Sequence, residues 1–361
     1  MADELETDFD IDALPAAVQP PGAVLSVRNL RVDFKTDDGI VKAVDDVSYD
    51  VFENEVLGIV GESGSGKTVS SLAILGLLPK TAEVSGQVIF RGRDLVGLNE
   101  RALRTVRGNK ISMVFQDALA ALNPVFTVGH QIAEAIDVHR DLSRKELAAE
   151  VQDLLGIVGI SNPKARADQY PHEYSGGMRQ RAMIAMALAN RPDVLIADEP
   201  TTALDVTIQA QVLEVFERVQ AQTNSAILLI THDLGVVAGM ADRVMVMYAG
   251  RQSEIGTVDE IFYEPRHPYT LSLLASLPRL DRGDRRDRLY RIKGQPPSLI
   301  RVPPGCPFNP RCPMAQTPDP CATEVPPLYS VSGGTEHRSA CHFREQLAGV
   351  TVEQLRARVR A

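Results

Sequence analysis

The octapeptide GESGSGKT at residues 61–68, hereafter the phosphate loop, limits the possible fold more than any other feature of the sequence. It matches the pattern G-x-x-x-x-G-K-[ST], whose glycines let the backbone wrap closely around phosphate groups. The pattern binds phosphate only where it joins a buried strand to a helix. Here the apolar run VLGIV at 56–60 precedes it, and the helical run VSSLAILGLL at 69–78 follows it. The sequence therefore predicts a strand, a phosphate-binding loop and a helix in succession.

The chemistry of the phosphate loop assigns roles to its polar residues. Lys67 is expected to reach the β- and γ-phosphates of a bound nucleotide, and the Thr68 hydroxyl is expected to bind Mg²⁺. A glycine-rich turn can also arise by chance, but the flanking strand and helix favour the functional interpretation. The loop residues predicted to contact the nucleotide are Gly61, Ser63, Gly64, Ser65, Gly66, Lys67 and Thr68.

Polar residues at the ends of apolar runs form the second part of the predicted site. Asp198 ends the run DVLIAD and is the predicted Mg²⁺ carboxylate, while the adjacent Glu199 is predicted to polarise the attacking water. His232 follows AILLIT and can donate to the γ-phosphate, and Gln116 ends ISMVFQ and can contact Mg²⁺ or water. An Asp-Glu pair alone is more often a solvated turn, and a lone histidine is usually structural. Because ligands of parallel sheets bind at the carboxyl ends of strands, Glu199, His232 and Gln116 are predicted as catalytic residues.

A second glycine-rich helix start lies at Ser175, Gly176 and Gly177, within the segment YSGGM. Backbone N–H groups at a helix N-terminus can bind phosphate. This segment is too far along the chain to belong to the same cradle as the phosphate loop. We therefore predict that it serves the nucleotide bound by another subunit, so that the working assembly is a dimer.

The order of apolar and helical runs predicts an α/β fold. Short alternating runs over 23–57 are typical of antiparallel strands. Compact apolar runs between 111 and 248 alternate with helical stretches, which predicts a parallel sheet covered on both faces. We expect a disordered acidic tail at 1–22, a nucleotide-binding domain at 23–260, and a small domain rich in cysteine and proline at 261–361.

Charge and hydropathy argue against several classes of protein. The formal net charge of −9 provides no basic footprint for nucleic acid as a main partner. No apolar run approaches the roughly eighteen residues of a membrane span. The first residues lack the basic and apolar segments of a secretory signal. We expect a cytosolic protein that reaches a membrane only through its partners.

All four cysteines lie after residue 300, at Cys306, Cys312, Cys321 and Cys341. In a reducing cytosol such a group is more typical of a metal site than of a disulfide framework. The spacing C-x5-C-x8-C-x19-C matches neither the C-x2-C zinc knuckle nor a bacterial ferredoxin run. Four thiolates suit one tetrahedral centre, and an iron–sulfur cluster, a zinc ion and free thiols remain the alternatives.

With these motifs in order, residues 24–260 resemble the ATP-binding cassette ATPases. The matching elements are the phosphate loop, Gln116, YSGGM at 174–178, VLIADEP at 194–200, Asp205 and His232. The resemblance implies a RecA-like core with an antiparallel β subdomain and a helical subdomain. It also implies two cassettes that sandwich two ATP molecules head to tail, with Ser175–Gly177 and Asp205 as further nucleotide-site residues. Phe34 is the residue expected to stack on adenine, with a strand core position as the alternative.

The C-terminal region resembles the tail of ATPase subunits from dipeptide and oligopeptide importers. The resemblance rests on RHPYT at 266–270, GQPPSL at 294–299 and GCPFNPRCPMA at 305–315. It implies an ATPase at the cytoplasmic face of the inner membrane that energises peptide import. The implied partners are two permease subunits, a second similar ATPase and an extracytoplasmic peptide-binding protein. It also favours a 4Fe–4S cluster on the four cysteines over Zn²⁺. Importers of nickel chelates or oligosaccharides, and a non-transport cassette, remain alternatives.

Overall fold

The computed structural model of the protein describes residues 16–202, 204–277, 290–332 and 336–355. The strands in these ranges are β1 (Ala23–Thr36), β2 (Gly39–Phe52), β3 (Val56–Val60), β4 (Ala82–Phe90), β5 (Arg93–Asp94), β6 (Ile111–Val114), β7 (Val194–Asp198), β8 (Ala226–Thr231), β9 (Arg243–Tyr248), β10 (Arg251–Thr257), β11 (Tyr329–Ser330) and β12 (Arg338–Ser339). The helices are α1 (Lys67–Ile74), α2 (Glu100–Val106), α3 (Ala118–Ala121), α4 (Val128–Asp137), α5 (Arg144–Ile157), α6 (Pro163–Ala167), α7 (Gly176–Ala187), α8 (Val206–Thr223), α9 (Leu234–Met240), α10 (Val258–Tyr263) and α11 (Pro268–Ser276). Most of the predicted acidic tail lies outside the described residues.

Of the two sheets in the described residues, the larger carries the parallel core. Across the described ranges its strand order is β11-β12-β10-β9-β3-β8-β7-β6. Strands β9, β3, β8, β7 and β6 pair in parallel, and β10 adds antiparallel to β9. Every residue of β3, β7 and β8 is buried, because each strand is a continuous apolar run covered on both faces. The α/β fold with a parallel sheet is thereby confirmed.

The two faces of β3 show how this sheet divides the interior. Leu57 and Ile59 pack in a core shared with the antiparallel sheet, whereas Val56 and Val60 pack in the core beneath the helical region. This division follows from the period of two with which side chains alternate along a strand. The antiparallel sheet has the order β2-β1-β4-β5 and confirms the antiparallel strands predicted between 23 and 57.

The helical region lies between β6 and β7 in the chain and contains α3 to α7. Its longest helix, α5, begins with a reciprocal cap in which Ser143 accepts from the Glu146 N–H and the Glu146 carboxylate accepts from the Ser143 N–H. Apolar side chains of α4 and α5, among them Ile136 and Leu155, join the core of the larger sheet. The region therefore packs as a helical layer that carries Ser175 at the start of α7.

The C-terminal region returns to the edge of the larger sheet. Strand β12 pairs with β10, so that Ser339 lies opposite Glu254. A small core joins α11 to Cys341, Leu347 and Leu355. The division at residue 261 into two domains stays a prediction. In the parts of the chain that the structure describes, none of the helices is both long and apolar enough to cross a membrane.

Candidate nucleotide site

The phosphate loop connects β3 to α1, as the sequence predicts. Gly66 lies at the N-terminus of α1 with a φ of 99°, and a Cβ there would lie 2.4 Å from the Ala43 carbonyl oxygen. Only glycine fits this close approach in a left-handed conformation. The Lys67 Nζ folds back over the loop and donates to the carbonyl oxygens of Gly61 at 2.8 Å and Glu62 at 3.1 Å. The loop is thus held in a compact turn by its own lysine.

The environment of Lys67 favours the binding of an anionic ligand. The side chain is buried, and this burial lowers the pKa of its amine, while the carboxylates of Glu199, Asp198 and Glu62 oppose the shift. A buried ammonium gains stability from any further negative charge that approaches it. A phosphate group in the loop supplies such a charge.

Thr68 and Asp198 form the part of the site that suits a divalent cation. The Thr68 hydroxyl donates to the Asp198 carboxylate at 3.1 Å, joining the start of α1 to the end of β7. Burial raises the pKa of Asp198, and the hydrogen bond from Thr68 partly offsets this. Mg²⁺ prefers oxygen ligands such as carboxylates and substrate phosphates. The donor set therefore fits the magnesium site that the sequence predicts.

Glu199 is the residue on which the polar groups of the site converge. Its carboxylate accepts from Thr202 Oγ1 at 2.8 Å and from Gln116 Nε2 at 3.3 Å, and it lies 3.3 Å from His232 Nδ1. The backbone of Glu199 has a φ of 47°, and its N–H donates to the Ile230 carbonyl. Non-glycine residues adopt this conformation rarely, and such residues cluster at functional sites. The structure thus brings together the three residues predicted to be catalytic.

A cavity of about 910 Å³, hereafter the nucleotide cavity, lies over the phosphate loop and is open to solvent. This volume is within the range of small-molecule sites. Its lining includes the whole loop together with Gln116, Glu199 and His232. Three further lining residues, Leu273, Gln295 and Pro296, come from the C-terminal region and were not predicted. The only sequence signal for the last two is their place in the segment GQPPSL.

Phe34, predicted to stack on adenine, lies in β1 and packs partly buried against the antiparallel-sheet core. It is not among the cavity-lining residues of the described chain. Its stacking role stays a prediction.

The second glycine-rich segment lies outside this cavity. Ser175 caps α7 by accepting from the Met178 N–H, and Ser175 and Gly176 are exposed. Gly177 is buried, and it packs so closely on Ile208 of α8 that a Cβ at this position would lie 2.5 Å from the Ile208 side chain. None of Ser175, Gly176 and Gly177 lines the nucleotide cavity of the described chain. The role of this segment across a dimer stays a prediction.

Asp205 has a local structural role that is clear from the geometry. Its side chain accepts from the Ile208 N–H at 3.0 Å and caps the N-terminus of α8. This residue does not line the nucleotide cavity in the described ranges. Its predicted contribution to a nucleotide held between two chains remains a prediction.

The four cysteines line one cavity of about 120 Å³, hereafter the cysteine cavity. Burial raises the pKa of Cys306 to about 11 and that of Cys341 to about 12, and it also raises the pKa of Cys312. Among the described residues, no three His, Cys, Asp or Glu side chains are placed to hold a metal ion. The fold thus gathers the four thiols without forming a ready-made site for a single ion.

Comparison with known proteins places this geometry in a family. The sequence profile of the ABC transporter family matches residues 44–202, and that of the oligopeptide/dipeptide transporter C-terminal region matches residues 253–321. The chain is 56% identical over 292 residues to the dipeptide transport ATP-binding protein DppD of Bacillus subtilis, covering 80% of this chain and 87% of that protein. The chain belongs to the ABC transporter family. Family membership implies ATP and Mg²⁺ as the ligands of the nucleotide cavity.

Other relatives of this ABC cassette agree. The oligopeptide transport ATP-binding protein OppD of Salmonella typhimurium is 48% identical, with 88% of this chain and 93% of that protein covered. Among solved structures, the cassette MJ0796, described as dimeric, superposes with a TM-score of 0.58 at 25% identity, covering 65% of this chain and 98% of that chain. CbiO1 of Clostridium perfringens superposes with a TM-score of 0.57 at 28% identity, covering 67% and 92%. The predicted cassette fold is confirmed.

Proposed function

We propose that this chain is the ATP-hydrolysing subunit of a transporter that imports dipeptides or oligopeptides across the bacterial cytoplasmic membrane. The observation that carries the ATPase part is the convergence of Gln116, Thr202 and His232 on Glu199 beside the phosphate loop. The peptide part is supported by the match to the C-terminal region and by the names of the DppD and OppD relatives. The chain acts at the cytoplasmic face of the membrane, bound to two permease subunits.

Hydrolysis depends on how these residues position a water beside the γ-phosphate. Lys67 and the loop N–H groups would hold the phosphates, and Thr68 and Asp198 would hold Mg²⁺, which would supply positive charge beside the phosphate oxygens. The Glu199 carboxylate accepts a proton from the water as the water oxygen bonds to the γ-phosphorus and the bond from that phosphorus to the departing ADP oxygen breaks. Its contacts with Gln116 and His232 fix the direction of that carboxylate before ATP binds. The work of the site is therefore positioning and charge stabilisation.

The second half of each ATP site comes from another cassette. Ser175 and Gly176 are exposed at the N-terminus of α7, where the backbone N–H groups of a helix start can receive a phosphate from a facing chain. A head-to-tail pair lets each chain supply its phosphate loop to one nucleotide and its Ser175–Gly177 segment to the other. The partner is a second, similar ATPase, and an extracytoplasmic peptide-binding protein delivers the solute.

The cysteine cavity holds a 4Fe–4S cluster. A zinc ion holds its four thiolate ligands at about 2.3 Å from one point. A cluster spreads its ligands over a multi-atom core, which suits four thiols around one small cavity. Bound iron would stabilise a region with a small core of its own. Zinc remains the competing occupant.

Reconstitution tests the transport assignment. Membrane co-purification first identifies the permeases, the second ATPase and the binding protein, and the complex is then placed in proteoliposomes. We expect peptide-loaded binding protein to stimulate ATP hydrolysis and peptide uptake, with Lys67→Ala as the inactive control. Stimulation by nickel chelates or oligosaccharides alone would assign one of the rival solutes. The absence of any permease partner would assign a non-transport cassette instead.

Anaerobic purification tests the cysteine assignment. We expect brown protein with broad visible absorption and about four iron atoms and four sulfides per chain. The variant Cys312→Ser serves as the control and is expected to lose the colour. Stoichiometric zinc without iron, in protein from iron-replete cells, would assign zinc to the cavity.

A further inference from the structure

Arg311 of the C-terminal region forms an ion pair with the phosphate loop. Its Nη1 donates to Glu62 Oε2 at 2.6 Å, and its Nη2 donates to Glu62 Oε1 at 3.0 Å. The pair is bidentate, which gives both strength and a fixed geometry. The Arg311 side chain is only 5% exposed and that of Glu62 is 27% exposed, so water screens the pair only from the side of Glu62. Residues 249 positions apart in the chain are thus joined at the nucleotide site.

The rest of Arg311 is also fixed. Its Nη1 donates to the Tyr248 hydroxyl at 3.2 Å, and its Nε donates to the Lys293 carbonyl at 3.1 Å. The guanidinium lies 5.7 Å from the centre of the Tyr248 ring. Arg311 ends a short 3₁₀ turn and directly precedes Cys312 of the cysteine cavity. The guanidinium is therefore held at once by Glu62 of the phosphate loop, by Tyr248 of β9 and by the Lys293 carbonyl.

Glu62 is the acceptor because of where it lies in the phosphate loop. Glu62 lines the nucleotide cavity, and its carbonyl accepts from Lys67 Nζ. Its N–H donates to the Tyr269 hydroxyl of α11 at 2.9 Å, a second contact from the C-terminal region. A carboxylate at this position would repel the phosphates of ATP if it had no cation beside it. Arg311 supplies that cation.

We propose that Arg311 is a positioning residue of the ATP site, which neutralises Glu62 and holds the phosphate loop in its binding conformation. The segment GCPFNPRCPMA at 305–315, which contains Arg311 and two of the four cysteines, then contributes to the nucleotide site as well as to the C-terminal region. The inference rests on ATP binding by the cassette and does not depend on which solute is transported.

Equilibrium binding of ATP to the full-length purified chain tests the proposal. Arg311→Ala is expected to raise the Kd for ATP about tenfold, as for a lost charged hydrogen-bonded pair. The double variant Arg311→Ala/Glu62→Gln is expected to recover most of that loss, because the unpaired charge is gone. Arg344→Ala is the matched control, since Arg344 contacts Ser330 and the Tyr329 ring within the C-terminal region. It should leave the Kd unchanged.

The outcomes separate this inference from the proposed function. The positioning role is wrong if wild type binds ATP and Arg311→Ala binds it equally well. It is also wrong if the double variant Arg311→Ala/Glu62→Gln binds ATP as weakly as Arg311→Ala does. If wild type binds no ATP, both are wrong. In the assembled complex, Arg311→Ala is expected to raise KM for ATP while kcat stays within about twofold. Should Arg311→Ala unfold, Arg311→Lys keeps the charge without the fork, and we expect about a threefold rise in Kd.

Discussion

The nucleotide cavity and the cysteine cavity differ in how much of each site the folded chain completes by itself. In the nucleotide cavity, Lys67 and Glu199 already have hydrogen-bonding partners, and Asp198, next to Glu199, is bonded to Thr68. In the cysteine cavity, the four thiols surround a space, and burial raises the pKa values of Cys306, Cys312 and Cys341, with no close set for an ion among the described residues. The first site is preorganised by strand ends and a loop. The cysteine cavity becomes a binding site only when a bound metal ion or cluster brings the four thiolates together.

The largest effect is expected from removing the carboxylate on which the preorganised site converges. Glu199→Gln should lower ATP turnover by at least about 100-fold, the usual cost of losing a general base. ATP binding should persist, because the phosphate loop and Thr68 are untouched. Steady-state hydrolysis and equilibrium binding measure the two effects, with the exposed Glu217→Gln of α8 as the matched control. Hydrolysis at the wild-type rate would remove Glu199 from its assigned role.

In the cysteine cavity, a substitution should act on stability first. Cys312→Ser is expected to lower the melting temperature by roughly 5 °C, because a lost ligand removes the folding energy of the bound group. Thermal unfolding of wild type and variant, each before and after removal of bound metal, gives the comparison. The two proteins should melt together once the metal is gone. A difference that survives metal removal would mean that the serine acts through packing alone.

The raised thiol pKa values give the metal-free protein a dependence on pH. The folded thiols of Cys306 and Cys341 titrate at about 11 and about 12, above the value near 9 of a free thiol. Their contribution to stability is therefore complete below pH 9 and is lost as the pH rises through about 11 for Cys306 and about 12 for Cys341. Urea unfolding of metal-free protein at pH 8 and pH 10.5 should show a smaller loss of stability in Cys306→Ser than in wild type. Equal losses would mean that other groups, such as tyrosines, account for the whole effect.

Those parts of the site that lie on short segments could be predicted from the sequence. The phosphate loop, Asp198 and Glu199 follow apolar runs directly, so strand ends and a local pattern locate them without knowledge of the fold. The five parallel strands were predictable for the same reason, since each is a compact apolar run.

Contacts between distant segments could not be predicted in this way. Gln295 reaches the nucleotide cavity, and Arg311 reaches Glu62, only because the C-terminal region packs against the sheet. Neither residue lies in a pattern whose chemistry requires that neighbour. The cysteine cavity was predictable as a group, because four thiols near one another in the chain suit one centre. Its geometry was not predictable, since irregular loops set it.

The smallest expected effect comes from Phe34, which tests whether this side chain contributes to the nucleotide cavity once ATP is bound. It packs on the antiparallel-sheet core and is not among the lining residues of the described chain, whereas family resemblance assigns it to adenine. If it stacks on the base once ATP is bound, Phe34→Leu should raise the Kd for ATP about threefold, the contribution of one aromatic contact. Binding of inorganic triphosphate should not change, because it has no base. Equal weakening for both ligands would mean that the substitution disturbs β1, and unchanged binding of both would leave Phe34 as a core residue.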